Sequence, residues 1–202
     1  QLTVAHEAIP GFMDAMTMPF KLKDPSLLNV MSDGDRLQAI LVVSGTGSWL
    51  EEVVVVSGSA DTSAINSLEP KPGDEIPDFA LVNQDGKRIS LREYRDRALV
   101  VTFIYTRCPL PDYCPLMTAR FGALEKTLAT EAALYAKTHL LSITVDPEYD
   151  TPRVLRQYGA TEMTGGQEKA QPPFGHWELA TGSKEQVKAV ATYFGMQYWP
   201  EG

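Results

Sequence analysis

Ala98–Tyr105 reads ALVVTFIY and runs directly into Thr106-Arg107-Cys108-Pro109-Leu110-Pro111-Asp112-Tyr113-Cys114-Pro115. An unbroken apolar run of this length, without period-two alternation, marks a strand buried on both faces. We expect it at the centre of its sheet. Downstream, Met117, Phe121, Leu124 and Leu128 recur at helical spacing within 115–136 and predict a stripe facing the core. His139–Val145 (HLLSITV) is a second buried strand. Asp150-Thr151-Pro152 opens a short helix expected to stop at Gly159, with proline near its start and glycine past its end. His176–Ala180 is a third short strand. Ser183 and Gln186 form the S-x-x-Q capping box of a last helix, striped by Val187, Val190, Ala191 and Phe194 and closed by Gly195. Upstream, Phe79–Val82 and Arg88–Leu91 flank an Asp-Gly turn and predict a hairpin. A hairpin followed by alternating strands and helices is a layered α/β domain, placed at 72–202.

Ser57–Pro72 (SGSADTSAINSLEPKP) is rich in Ser, Gly and Pro without an apolar period, and 57–71 is read as a linker. The 1–56 segment before it is β structure. Met16, Met18, Phe20 and Leu22 alternate with Thr17, Pro19, Lys21 and Lys23, a half-buried strand in which Pro19 requires an edge or bulge. Ser32–Asp35 and Gly45–Gly47 are turn signals around strands at Leu37–Ser44 and Leu50–Val56. Short strands in so small a segment predict a small β barrel, expected to lack its first strand because nothing precedes Leu2–Ala5.

Composition narrows the function. Eighteen Lys+Arg against 26 Asp+Glu give a net charge of −8 with no basic block, which opposes nucleic-acid binding. No apolar stretch approaches the ~18 residues of a membrane span. No signal peptide is visible, and the chain opens at Gln1, so an export segment is expected to have been removed.

Cys108 and Cys114 are the two cysteines. One pair cannot build a disulfide scaffold or a four-ligand zinc site. Two buried core cysteines are the bland alternative. The surroundings favour chemistry. Cys108 follows the C-terminal end of a strand, where sites gather in α/β sheets, and Cys114 precedes a helix whose first position suits Pro115. The helix dipole and Arg107 are expected to make both thiols more acidic than free cysteine. A stiff proline loop carrying two thiolates suits Cu(I) and equally suits disulfide exchange.

The segments Phe103–Pro109 … Cys114–Met117 and Ser142–Pro152, with Leu155–Gly159 after them, resemble the Sco/SenC family over residues 72–202. That resemblance implies a thioredoxin-like fold, a periplasmic or cell-envelope location, and copper delivery for assembly of cytochrome c oxidase. Its copper ligands would be Cys108, Cys114 and a distant His. Two departures stand out. The family usually separates its cysteines by three residues, and here there are five. The family's His follows the helix at 184–194 and falls beyond Gly202; His139 and His176 do not match it.

At the other end, His6, Met13, Met16 and Met18 cluster within the first eighteen residues. Met16 and Met18 also suit the apolar face of a strand, where methionine is a common filler. An imidazole with thioethers is a soft set for Cu(I). Val4–Pro10 and Asp14–Phe20 resemble CusF-like periplasmic domains, OB-type barrels that bind Cu(I) or Ag(I) through a His and two Met, with Met13 where that family has a Trp. The expectation is therefore an OB-type β barrel followed by an α/β thioredoxin-like domain. It would be an exported copper protein with metal ligands Cys108, Cys114, His6, Met13, Met16 and Met18. It would act as a copper carrier rather than an enzyme, and its partner would be a copper-receiving protein such as a cytochrome c oxidase subunit. The alternatives are a thiol–disulfide oxidoreductase or thiol peroxidase using Cys108 and Cys114, and a copper-resistance buffer.

Overall fold

The computed structural model describes residues 1–56, 70–164, 174 and 176–196. Most of the expected linker, 57–69, lies outside the described residues. The chain has a mixed α/β fold. In the second half, β5 (Ala80–Asn83) and β6 (Arg88–Ser90) form the expected hairpin, with Gly86 at φ +75° in its turn. β7 (Ala98–Ile104), β8 (Thr138–Thr144) and β9 (Trp177–Thr181) complete a sheet of order β6-β5-β9-β8-β7. β7, β8 and β9 are parallel, and β5 runs antiparallel to β9. α1 (Cys114–Ala129) and α2 (Ala132–Lys137) connect β7 to β8, α3 (Pro152–Thr164) follows β8, and α4 (Lys184–Tyr193) follows β9.

Side-chain alternation sorts the core into two faces. Leu140 and Trp177 meet Phe121 of α1, and Ile104 and Leu179 meet Leu155 of α3. Leu141, Ile143 and Ala180 meet Val190 of α4 on the opposite face. β8 is therefore buried on both sides, as its unbroken apolar run requires. The capping box at Ser183 and Gln186 forms as the sequence requires, and Gly195 closes the helix at φ +72°.

Three expectations are corrected. β7 is an edge strand and not the central one; β9 holds the middle of the order. An apolar run fixes how much burial a strand needs, whereas strand order is set by the crossovers. The stripe of α1 is rotated: Thr118, Phe121 and Glu125 are its buried residues, and Met117 is 40% exposed. α3 does not stop at Gly159 but runs through it to Thr164. A Cβ at Gly159 would stand 2.8 Å from Phe174 Cε1 and 3.0 Å from Leu179 Cδ1, so this glycine serves close packing rather than termination.

In the first half, β1 (Leu2–His6) pairs antiparallel with β2 (Met16–Phe20), and β3 (Leu37–Ser44) with β4 (Gly47–Val55). The two pairs meet through one parallel bridge, Leu22 to Leu50, and no closed barrel forms among the described residues. Their shared core is Met13, Phe20, Leu22 and Leu50, with a fifth member, Leu110, arriving from the cysteine loop.

Candidate metal centre

The cysteine loop begins where β7 ends. The Cys108 amide donates to the Tyr105 carbonyl at 3.0 Å, turning the chain out of the sheet. Asp150, fully buried, clamps this turn to the end of β8 by accepting from the Thr106 and Thr144 hydroxyls and from the Thr106 amide. Burial raises the Asp150 carboxyl pKa, although its hydrogen bonds oppose that. Cys114 is the first residue of α1 and Pro115 the second, one position later than expected for the proline.

The thiols of Cys108 and Cys114 are free and half-buried, and Cys108 Sγ lies 3.8 Å from the Leu110 carbonyl oxygen. The neighbouring Cys114 side chain brings Cys108 down to about 7 against the cost of burial. Cys108 and burial in turn push Cys114 up. The expectation that both thiols are acidified is thus corrected: a pair sharing one proton acidifies one member at the other's expense. Arg107 contributes less than its charge suggests. Its guanidinium pairs with Asp146 at 2.6 Å and covers the Tyr149 ring at 4.1 Å. Among the described residues, no group of three His, Cys, Asp or Glu side chains is placed to hold a metal.

His139 and His176 lie away from this site. His139 pairs with Leu99 at the start of β7, so the length of the strand, roughly 20 Å at ~3.3 Å per residue, separates it from the cysteines. It is buried against Glu178 (2.8 Å) and stacked on Tyr94 (4.3 Å), and His176 stacks on Tyr135. Glu178 also accepts from Tyr94 and Asn83, each at 2.6 Å; burial opposes its ionisation, but these bonds and His139 together hold its pKa at about 2.

The N-terminal residues fall as follows. His6 stands directly opposite Met16 across β1–β2, and Val4 opposite Met18, so His6, Met16 and Met18 share one face of the hairpin. Met13 is buried in the neighbouring core. His6 Nδ1 lies 2.7 Å from the Glu7 carbonyl and so carries the proton, which leaves Nε2 as a buried lone pair without a partner. This is the arrangement of a ligating histidine, whose other ring nitrogen donates to a carbonyl.

A single cleft of about 1340 Å³ is lined by Met13, Met16 and Met18 from the first half and by Cys108 and Cys114 from the second. The five-residue loop holds the halves together. Leu110 is fully buried in the first half's core. Asp112 accepts from Lys21 and Ser48, each at 2.8 Å; burial resists its ionisation, but these partners hold its carboxyl below the usual range. Tyr113 donates to the Pro19 carbonyl. The sequence marked this loop as a stiff carrier of two thiolates with unusual spacing, and Leu110, Asp112 and Lys21 carried no signal that it docks into the first half.

The SCO1/SenC family model matches residues 69–201, about two-thirds of the chain. The chain belongs to the SCO1/SenC family. A second model, for the copper binding periplasmic protein CusF, matches residues 1–53. An SCO1 protein homolog of Bacillus subtilis is 30% identical over 131 residues, covering 63% of this chain and 61% of that protein. The match thus spans about three-fifths of that relative's length. Among solved structures, copper-bound ScoI of Bradyrhizobium japonicum is 25% identical, with a TM-score of 0.48, 59% of this chain and 66% of that one. BsSco, described with a disulfide switch and as a member of the Sco family of cytochrome c oxidase assembly proteins, is 31% identical, with a TM-score of 0.47 over 58% of this chain and 61% of that one. No helix among the described residues is long and apolar enough to cross a membrane.

Proposed function

We propose that this chain binds Cu(I) outside the cytoplasm and serves assembly of the copper centre of cytochrome c oxidase. It would deliver the metal to a copper-receiving partner or maintain that partner's thiols. In this reading 1–56 is a CusF-like unit of OB type, 57–71 a linker and 72–202 a thioredoxin-like Sco domain. Its ligands are Cys108 and Cys114, with His6, Met13, Met16 and Met18 as the second set. The observation that carries the reading is the paired thiols on a stiff loop, lining one cleft with the thioethers of Met13, Met16 and Met18. Thiolate, thioether and imidazole are soft ligands that select Cu(I) over hard cations. The test is Cu(I) competition with a chromophoric chelator on the reduced full chain. Retention should be tight, fall in Cys108→Ser and Cys114→Ser, and lose part of its stoichiometry in His6→Ala. Failure to retain Cu(I) refutes the proposal; retention of copper with no release to any thiol acceptor leaves a copper buffer.

The asymmetry of the thiols favours a second reading, thiol–disulfide exchange. The Cys108 thiolate would attack a substrate disulfide, expelling one substrate sulfur, which takes up a proton. Cys114 would then expel the other, leaving a Cys108–Cys114 disulfide and two reduced substrate thiols. Each turnover needs an external dithiol to restore the pair. Rapid reduction of insulin disulfides with weak Cu(I) retention would select this reading.

A further inference from the structure

The order of contacts along the seam places Met16 in particular. Asp14 reaches the Tyr105 hydroxyl (3.4 Å) and Arg107 (3.9 Å), Pro19 accepts from Tyr113, and Lys21 pairs with Asp112. Residues 14–21 therefore run alongside 105–113 and are anchored on both sides of Met16. Between these anchors Met16 leaves the first half's own core. It packs against the buried cluster formed by Tyr105, Val145, Val187 and Ala191, against which Cys108 and Cys114 also pack. Met13 and Met18 stay with the first half's cluster. Met16 is also the residue opposite His6. One thioether thus stands across its own hairpin from His6 and lines one cleft with the thiol pair of the other half, and among the described residues no third His, Cys, Asp or Glu completes a site at that pair.

We infer that Met16 is a copper ligand shared by the two halves, so that Cu(I) moves from the His6–Met16 pair of the hairpin to Cys108 and Cys114 without leaving the chain. This rests on the copper reading above. The step is ligand exchange at constant oxidation state. The bonds from Cu(I) to His6 Nε2 and to the Met13 and Met18 Sδ atoms would break, bonds to Cys108 Sγ and Cys114 Sγ would form, and each thiol that ligates as thiolate would give its proton to water. Met16 Sδ stays bound throughout. Thiolates are softer and more strongly donating than the neutral donors they replace, so the exchange runs toward the cysteines. The loop of five residues acquires a purpose: Leu110, Asp112 and Tyr113 plug it into the first half and hold the two donor sets in one cleft.

The test uses the reduced full chain in a His6→Ala background, where Cu(I) is confined to the cysteine side. Adding Met16→Leu, which keeps the packing volume, should weaken Cu(I) by about tenfold or more, since even groups that only support a ligand are worth that much. It should also remove one sulfur from the copper X-ray absorption shell. Adding Met196→Leu, at the other methionine packed on this cluster, should do neither, and unchanged circular dichroism checks the fold of each variant. Unchanged affinity and sulfur count in Met16→Leu, or a loss in Met196→Leu instead, overturns the inference while leaving copper binding intact. Absence of Cu(I) at the cysteines in the His6→Ala parent itself overturns the copper reading and the inference with it.

Discussion

Leu110→Ala cuts the seam at its best-buried point. Leu110 has no solvent exposure and sits among Met13, Phe20, Leu22 and Leu50, four residues of the half to which it does not belong by sequence. Truncating a fully buried leucine costs about 2–5 kcal/mol through lost transfer energy and the cavity left behind. Proline on either side limits how far the loop can collapse into that cavity, which argues for the middle of the range. The loss should be local. Native-state hydrogen exchange reads it: a change of ~3 kcal/mol is roughly a 150-fold rise in exchange for amides that open by unfolding of the first half. The Leu50 amide, bonded to the Lys21 carbonyl at 2.8 Å, reports that unit, and amides of β8 report the other. Exchange should accelerate at Leu50 and its neighbours and stay nearly constant in β8. Equal acceleration in both units, or less than about threefold at Leu50, would refute the idea that the loop is a plug for the first half.

Gly159→Ala should destabilise the protein by about 1 kcal/mol in denaturant unfolding: the helix gains up to ~1 kcal/mol in propensity, and overpacking against Phe174 and Leu179 costs ~1–3 kcal/mol. Glu178 is held at about 2, below the ordinary carboxylate value, so its contribution is present above the unfolded value and lost as pH falls toward 2; acid unfolding of the parent should lose on the order of 3 kcal/mol from this group between pH 5 and 2, and Glu178→Gln should flatten that part of the profile. Asp150→Ala leaves the Thr106 and Thr144 hydroxyls without their acceptor and should cost ~1–3 kcal/mol, with faster amide exchange at Thr106 and Cys108.

Features set by neighbours in sequence were legible before the fold. The capping box at Ser183, the Asp-Gly turn at 85–86, and the unbroken run of β8 each act over a few residues, and each forms as read. What failed depended on distant partners. Gly159 looked like a helix stop because the ring of Phe174, fifteen residues on, is invisible locally. β7 looked central because its apolar demand is met by two helical layers rather than by two strand neighbours. The site divides in the same way. The cysteine pair and the His–Met set were visible as residue types, and Met16 and Met18 are on one face because strand period dictates it. That the cysteine pair and the three methionines line one cleft, that the pair shares a proton unevenly, and that Asp112 is tied to Lys21 and Ser48 all depend on how the loop docks. Spacing alone could not supply that docking.

The central claim is that the cysteine pair and the N-terminal thioethers act together on copper. Copper K-edge absorption of the reduced full chain, loaded with one equivalent of Cu(I), tests it most directly. The account predicts retained Cu(I) with a shell of three sulfurs, in which the two thiolates give way to thioether sulfur and nitrogen from His6 in the Cys108→Ser, Cys114→Ser double variant. A shell dominated by nitrogen or oxygen in the parent chain, or one unchanged by the double variant, would contradict it.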